Sequence, residues 1–115
     1  MAKVLVTGAS GFVAEHLIPI LRSSGWFVFG IDRKANSSEV CDDFLSLDLN
    51  DLRLNDLKGH SFDLLIHLAA SRADWGVSDE EFFRDNVEAS RSLIRVMSEL
   101  YVPKVIFVSS ISVMP

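Results

Sequence analysis

One cysteine, Cys41, stands in 115 residues, so an internal disulfide and a multi-cysteine metal site are both excluded. A lone free thiol fits a reducing compartment, and the cytoplasm is the expected location. No apolar run approaches the ~18 residues of a membrane span. Lys3 followed by Val4-Leu5-Val6 is too short a run for a secretory signal. There is no basic cluster, and the formal net charge is −5, which argues against a nucleic-acid surface. No His/Cys/Asp/Glu spacing suggests a metal, and no internal repeat or low-complexity segment is present. What remains is a chain of single-domain length, 49% hydrophobic. That richness suits a sheet covered on both faces.

The most specific local feature is Val4-Leu5-Val6-Thr7-Gly8-Ala9-Ser10-Gly11-Phe12-Val13-Ala14. A buried strand runs into a glycine turn and then into a helix. The first turn of a helix has N–H groups without intrahelical partners and a partial positive charge. Glycines let the backbone approach a pyrophosphate without a Cβ in the way. The pattern is T-G-x-x-G-x-x-A rather than G-x-G-x-x-G. Asp32 follows 24 residues after Gly8, at the end of the second strand. A carboxylate there accepts both ribose hydroxyls of an adenosine and repels a 2′-phosphate, which favours NAD over NADP. Arg33 beside it works against that preference, because a guanidinium holds a phosphate or stacks on adenine.

Periodicity alternates along the rest of the chain. Strands are expected at 3–7, 27–32, 44–49, 63–68 and 104–109, and a polar loop at 34–39. A first helix is expected over 11–24, with Phe12, Val13, His16, Leu17, Ile20 and Leu21 on one face and a kink at Pro19. One or two helical turns are expected over 51–57. Ser78-Asp79-Glu80-Glu81 reads as a capping box opening a long helix to about Leu100. Its expected inner face is Phe82, Phe83, Val87, Ile94, Met97 and Leu100. The capping and dipole roles account fully for the three acids. The alternation predicts an α/β fold, a Rossmann-type doubly wound parallel sheet of five strands in the order 3-2-1-4-5, with the nucleotide outside the carboxyl ends of the strands. Residues 1–115 are taken as one NAD-binding domain.

These motifs, in this order, resemble the extended short-chain dehydrogenase/reductases, the NAD-dependent epimerase/dehydratases acting on nucleotide sugars. Thr7-Gly8-Ala9-Ser10-Gly11-Phe12-Val13-Ala14 resembles that family's TGxxGFxG, with alanine as the third small residue. Asp48-Leu49 resembles its Asp-hydrophobic pair, where the carboxylate meets the adenine amino group. His67-Leu68-Ala69-Ala70 is similar to its HxAA strand end, Asn86-Val87-Glu88-Ala89-Ser90 to its N-V-x-G-T, and Val108-Ser109-Ser110-Ile111-Ser112-Val113 to its S-S-x-x-V-Y-G, with Met114-Pro115 replacing Tyr-Gly. The resemblance implies NAD as cofactor, with Gly8, Ser10, Gly11, Phe12, Val13, Asp32, Arg33, Asp48, Leu49, Leu68, Ala69, Ala70, Arg72, Asn86 and Ser109 around it. It implies a catalytic Ser110 at the reacting sugar oxygen and a bracing role for Asn86. It also implies a nucleotide-sugar substrate near Asp74 and Trp75, and homodimers formed through helices that include the long one. His67 is expected to pack in the sheet rather than act as an acid or base.

The family's general base is the tyrosine of Tyr-x-x-x-Lys. The single tyrosine here, Tyr101, has Lys104 three residues on rather than four and lies at a helix end, so that pair is rejected. The expectation is therefore the N-terminal NAD-binding portion of an epimerase/dehydratase, inactive alone. The alternative is a catalytically silent nucleotide-binding or regulatory module of the same superfamily.

Overall fold

The computed structural model describes residues 2–34, 40–68 and 87–108. Five strands, β1 (Lys3–Thr7), β2 (Phe27–Asp32), β3 (Asp43–Ser46), β4 (Leu64–His67) and β5 (Val105–Phe107), form one parallel sheet in the order β3-β2-β1-β4-β5. Helix α1 (Phe12–Ser23) follows β1, and α2 (Ala89–Glu99) precedes β5. The expected strand order is the observed one.

Alternate residues of β1, β2 and β4 feed two cores, as a strand's period of two requires. Val4, Val6, Val28 and Ile66 pack with Ala9, Ala14, Ile18 and Cys41 on the α1 side. Leu5, Phe29, Ile31 and Leu65 pack with Leu49, Leu52, Leu57, Ala89, Leu93, Val96 and Met97 on the α2 side. β1 lies in the middle, and Val4, Leu5 and Val6 are fully buried. That explains why its sequence is a continuous apolar run rather than an alternating one.

Both helices end the same way with different residues. In α1, Gly25 takes φ 93°, its N–H bonds the Arg22 carbonyl, and the Trp26 N–H bonds the Leu21 carbonyl. In α2, Tyr101 takes φ 56°, its N–H bonds the Ser98 carbonyl, and the Val102 N–H bonds the Met97 carbonyl. Both are Schellman caps. Glycine adopts the left-handed conformation freely, whereas a tyrosine there is strained.

Both expected helix faces need correction. On α1 the buried residues are Ala14 and Ile18, with Leu17 and Leu21 packed beside them. Phe12, Val13, His16 and Ile20 point outward, Phe12 with 76% of its surface exposed. Two apolar stripes overlap on this helix. Packing selects the one carrying small Ala14, which lets the helix lie close on the sheet. On α2 the expected Met97 is buried and Leu100 packs on the same core, but the buried line is Ala89, Ser92, Leu93, Val96 and Met97, and Ile94 is 52% exposed. Again the small residues, Ala89 and Ser92, mark the contact face, and hydropathy ranks them too low to show it.

Boundaries shift for a related reason. β3 ends at Ser46 rather than residue 49, because its partner β2 ends at Asp32, the register mate of Ser46. One last bond, from the Leu47 N–H to the Asp32 carbonyl, closes the ladder. The expected helical turns over 51–57 are two separate 3-10 turns, Leu49–Asp51 and Leu54–Leu57, with Leu52 and Arg53 extended between them. Asp56 accepts the Arg53 N–H at 2.9 Å and fixes the second turn. β4 is one residue shorter at each end than expected, and β5 begins one residue later. The capping box at 78–81, Phe82 and Phe83 lie outside the described residues.

Candidate functional site

The site is built where β1 hands over to α1. Gly8 takes φ 69°, a conformation natural to glycine, and its carbonyl accepts the Gly11 N–H at 3.0 Å. Gly11 is the N-cap of α1, in extended conformation, and no side chain caps the helix. The amides of Phe12, Val13 and Ala14 form the first turn and have no helical carbonyl to bond. A Cβ on Gly11 would stand 3.2 Å from the Gly8 carbonyl oxygen, tighter than an ordinary contact. The turn offers what an anion would need, which is open donors, a helix dipole and minimal side-chain bulk.

Asp32 lies across from it. One carboxylate oxygen accepts the Ser10 N–H at 3.0 Å, and the other accepts the Lys34 N–H at 3.2 Å. The Ser10 hydroxyl donates to the Lys34 carbonyl at 2.8 Å. The carboxylate is thereby pinned beside the glycine turn at the carboxyl end of β2. Exposed Arg33 holds Ser46 through its carbonyl, which accepts the hydroxyl at 3.2 Å.

Farther along the same sheet edge, Asp48 caps the first 3-10 turn. Its Oδ1 accepts both the Asn50 N–H at 2.9 Å and the Asn50 side-chain amide at 3.0 Å. The Leu49 side chain is buried in the α2-side core, so it serves packing. On the other flank, the Leu68 N–H bonds both the Thr7 carbonyl, at 3.2 Å, and the Thr7 hydroxyl, at 3.1 Å. The structure thus gathers Gly8, Ser10, Gly11, Phe12, Val13 and Asp32 at one turn, with Arg33, Asp48 and Leu68 along the same edge. Ala69, Ala70, Arg72, Asp74, Trp75, Asn86, Ser109 and Ser110 lie outside the described residues.

Sequence reasoning passed over Gly30. A Cβ there would stand 2.6 Å from Cys41 Sγ, 2.9 Å from Ala9 Cβ and 3.1 Å from Phe44 Cδ2. Its bareness lets the glycine turn sit directly on β2, where the Ala9 N–H bonds the Ile31 carbonyl at 3.2 Å. The available signal was a glycine inside an otherwise apolar strand. Cys41, packed against this spot, has its thiol pushed up from 9.0 to about 11 by burial, partly offset by Arg22. It is not a nucleophile at neutral pH. His67 is buried as expected and its pKa is lowered by desolvation, so the ring is neutral. Among the described residues, no group of acids, histidines and cysteine is placed to hold a metal ion, and no helix is long and apolar enough to cross a membrane.

The sequence of residues 4–115 matches the model of the NAD dependent epimerase/dehydratase family. The chain is 29% identical over 104 residues to the decarboxylating sterol-4-alpha-carboxylate 3-dehydrogenase of Dictyostelium discoideum, covering 86% of this chain and 31% of that protein. Among solved structures it is similar to UDP-glucose 4-epimerase from Bifidobacterium longum in complex with NAD+ and UDP, with TM-score 0.83, 26% identity and coverage of 97% of this chain and 38% of that one. It is also similar to MoeE5 in complex with UDP-glucose and NAD, with TM-score 0.81, 36% identity and coverage of 99% and 38%. The chain spans about a third of the length of these proteins.

Proposed function

Because the chain belongs to the NAD-dependent epimerase/dehydratase family, we propose that it binds NAD and forms the cofactor-holding part of an enzyme acting on a nucleotide sugar. One observation carries this reading: an uncapped helix N-terminus opens on a glycine turn with a pinned carboxylate beside it. The α1 amides and the Gly8–Gly11 turn would hold the pyrophosphate. Asp32 would hold the adenosine ribose, and Asp48 would face the adenine. When bound, the cofactor supplies hydride acceptance and donation. The residues described here bind and orient it. Ser110 is the proposed contact to the reacting sugar oxygen.

The relatives support the cofactor more strongly than the substrate. One is named for a sterol acid and others are UDP-glucose 4-epimerases, and this chain covers 31% of the first and 38% of each of two others. NAD complexes appear among the similar structures beside bound UDP or UDP-glucose, which supports the nucleotide-sugar choice.

Calorimetric titration with NAD and NADP tests the proposal. The parent chain binds NAD in preference to NADP. Asp32→Ala weakens NAD binding and relaxes the discrimination against NADP, because a ribose acceptor and a charge repelling the 2′-phosphate go together. Gly11→Val abolishes binding of both by filling the pyrophosphate's place. Unchanged affinity in Gly11→Val removes the proposed cradle.

A further inference from the structure

His67 ends β4 directly opposite Thr7, which ends β1; the two are register partners. The boundary between β1 and β4 is where the order of the sheet reverses, so the crevice of a doubly wound fold opens there. His67 Nδ1 lies 2.6 Å from Thr7 Oγ1, the same hydroxyl that accepts the Leu68 N–H. Its Nε2 lies 3.3 Å from Ser90 Oγ on α2. The edge of the Phe107 ring packs on the imidazole at a centroid distance of 5.3 Å. One buried ring therefore touches the strand that delivers the glycine turn, the helix on the opposite face and the neighbouring strand β5.

The neutral state suits this position. A neutral ring has one N–H and one bare nitrogen, and the Thr7 and Ser90 hydroxyls, each able to donate or accept, complement it in either tautomer. No other neutral side chain places two hydrogen-bonding nitrogens on opposite flanks of a rigid plane. Phenylalanine fills the volume and leaves the Thr7 and Ser90 hydroxyls without their ring partner. Asparagine reproduces the Nδ1 side alone.

Resting on the NAD-binding reading, we propose that His67 is a positioning residue that holds the exit of β4 in register with the phosphate turn of β1. The nicotinamide half of the cleft, beyond β4, is thereby kept at a fixed distance from the adenosine half on β1 and β2. His67 transfers no proton and touches no reacting atom. It acts through Thr7, the Leu68 amide and Ser90.

Two ligands of different reach separate this role from general stability. ADP occupies only the phosphate turn and the Asp32 side, whereas NAD spans both halves. For His67→Phe, NAD affinity falls about tenfold, the loss expected when buried hydrogen bonds are broken, while ADP affinity stays within about twofold. His67→Asn, which keeps the Thr7 contact, recovers most of the NAD affinity. Ser90→Ala, a substitution on the helix rather than in the sheet, lowers NAD affinity less and leaves ADP unchanged, and it carries the test if His67→Phe does not fold. Equal losses for NAD and ADP, or no loss for either in both variants, overturn the proposal. If the parent chain binds neither ligand, the cofactor reading itself fails and the proposal falls with it. That result is distinct from a parent that binds both and variants that do not discriminate.

Discussion

β1 and β5 are written in nearly the same alphabet and live in opposite surroundings. Val4-Leu5-Val6 is fully buried between two helical layers. Val105, Ile106 and Phe107 are 41%, 49% and 50% exposed at the edge of the same sheet. Among the described residues, β1 has hydrogen-bonded neighbours on both sides, and β5 pairs with β4 alone. Beside β5, Leu65, Ile94, Met97, Val102 and Phe107 line an apolar groove. An apolar run specifies a strand of a covered parallel sheet, and position in the sheet decides whether its side chains leave water. The central strand leads directly into the glycine turn. The edge strand carries far less packing.

Truncation should expose this contrast most strongly. Leu5→Ala costs about 3 kcal/mol or more, because the site is closed on all sides and cannot collapse. Ile106→Ala, half exposed, costs about 1 kcal/mol or less. Urea unfolding of the two variants measures the difference, and equal losses would mean that the edge strand is as well packed as the centre. Overpacking tests the centre from the other direction. Gly30→Ala destabilises by about 2 kcal/mol, since its Cβ meets Cys41 and Ala9 at less than contact distance. Gly59→Ala is a control without that crowding. There the left-handed φ of 85° is the whole penalty, because no atom stands within 4 Å.

Two titrations sharpen the picture further. Cys41 keeps its proton to about pH 11 in the fold and loses it near 9 when unfolded. A group with a raised folded pKa contributes stability that is intact below pH 9 and lost between 9 and 11. Cys41→Ala removes that alkaline loss, read as the pH dependence of the unfolding midpoint. His67 is the opposite case. Its folded pKa is lowered, so the unfolded chain takes up a proton first as pH falls below 6.5, and stability declines there. His67→Asn flattens this acid limb. The smallest effect belongs to the strained cap. Tyr101→Gly raises stability by about 1 kcal/mol, since the left-handed conformation then costs no Cβ clash. Gly25, already glycine in the matching position of α1, offers no such gain.

Much of the fold was legible in the residues themselves. Val4 to Thr7 could be read as a buried strand because both faces are apolar. Gly8 and Gly11 could be read as a turn because their spacing matches a strand-to-helix passage. The carboxylate of Asp32 falls where the second strand ends. These are local features, set by backbone sterics and by the period of each element. The helix faces were only partly legible: Leu17, Leu21, Met97 and Leu100 pack on the cores as expected, whereas Phe12, Val13, Ile20 and Ile94 face outward. The choice of Ala14 over Phe12 and of Leu93 over Ile94 was made by how closely the helices approach the sheet. Gly30 was overlooked for the same reason: its need appears only when Cys41, Ala9 and Phe44 are brought to it from other elements.

The sequence by itself determined the order of strands and helices along the chain, the glycine turn with its open amides, and an acid at the end of the second strand, since each depends on neighbours within a few residues. Tertiary structure alone decided which apolar residues are core, that Asp32 is pinned by the Ser10 and Lys34 amides, and that His67 bridges Thr7 to Ser90. Those contacts join residues 22 to 60 positions apart, except for Lys34. No local propensity encodes such a distance; only the closing of the sheet brings the partners together.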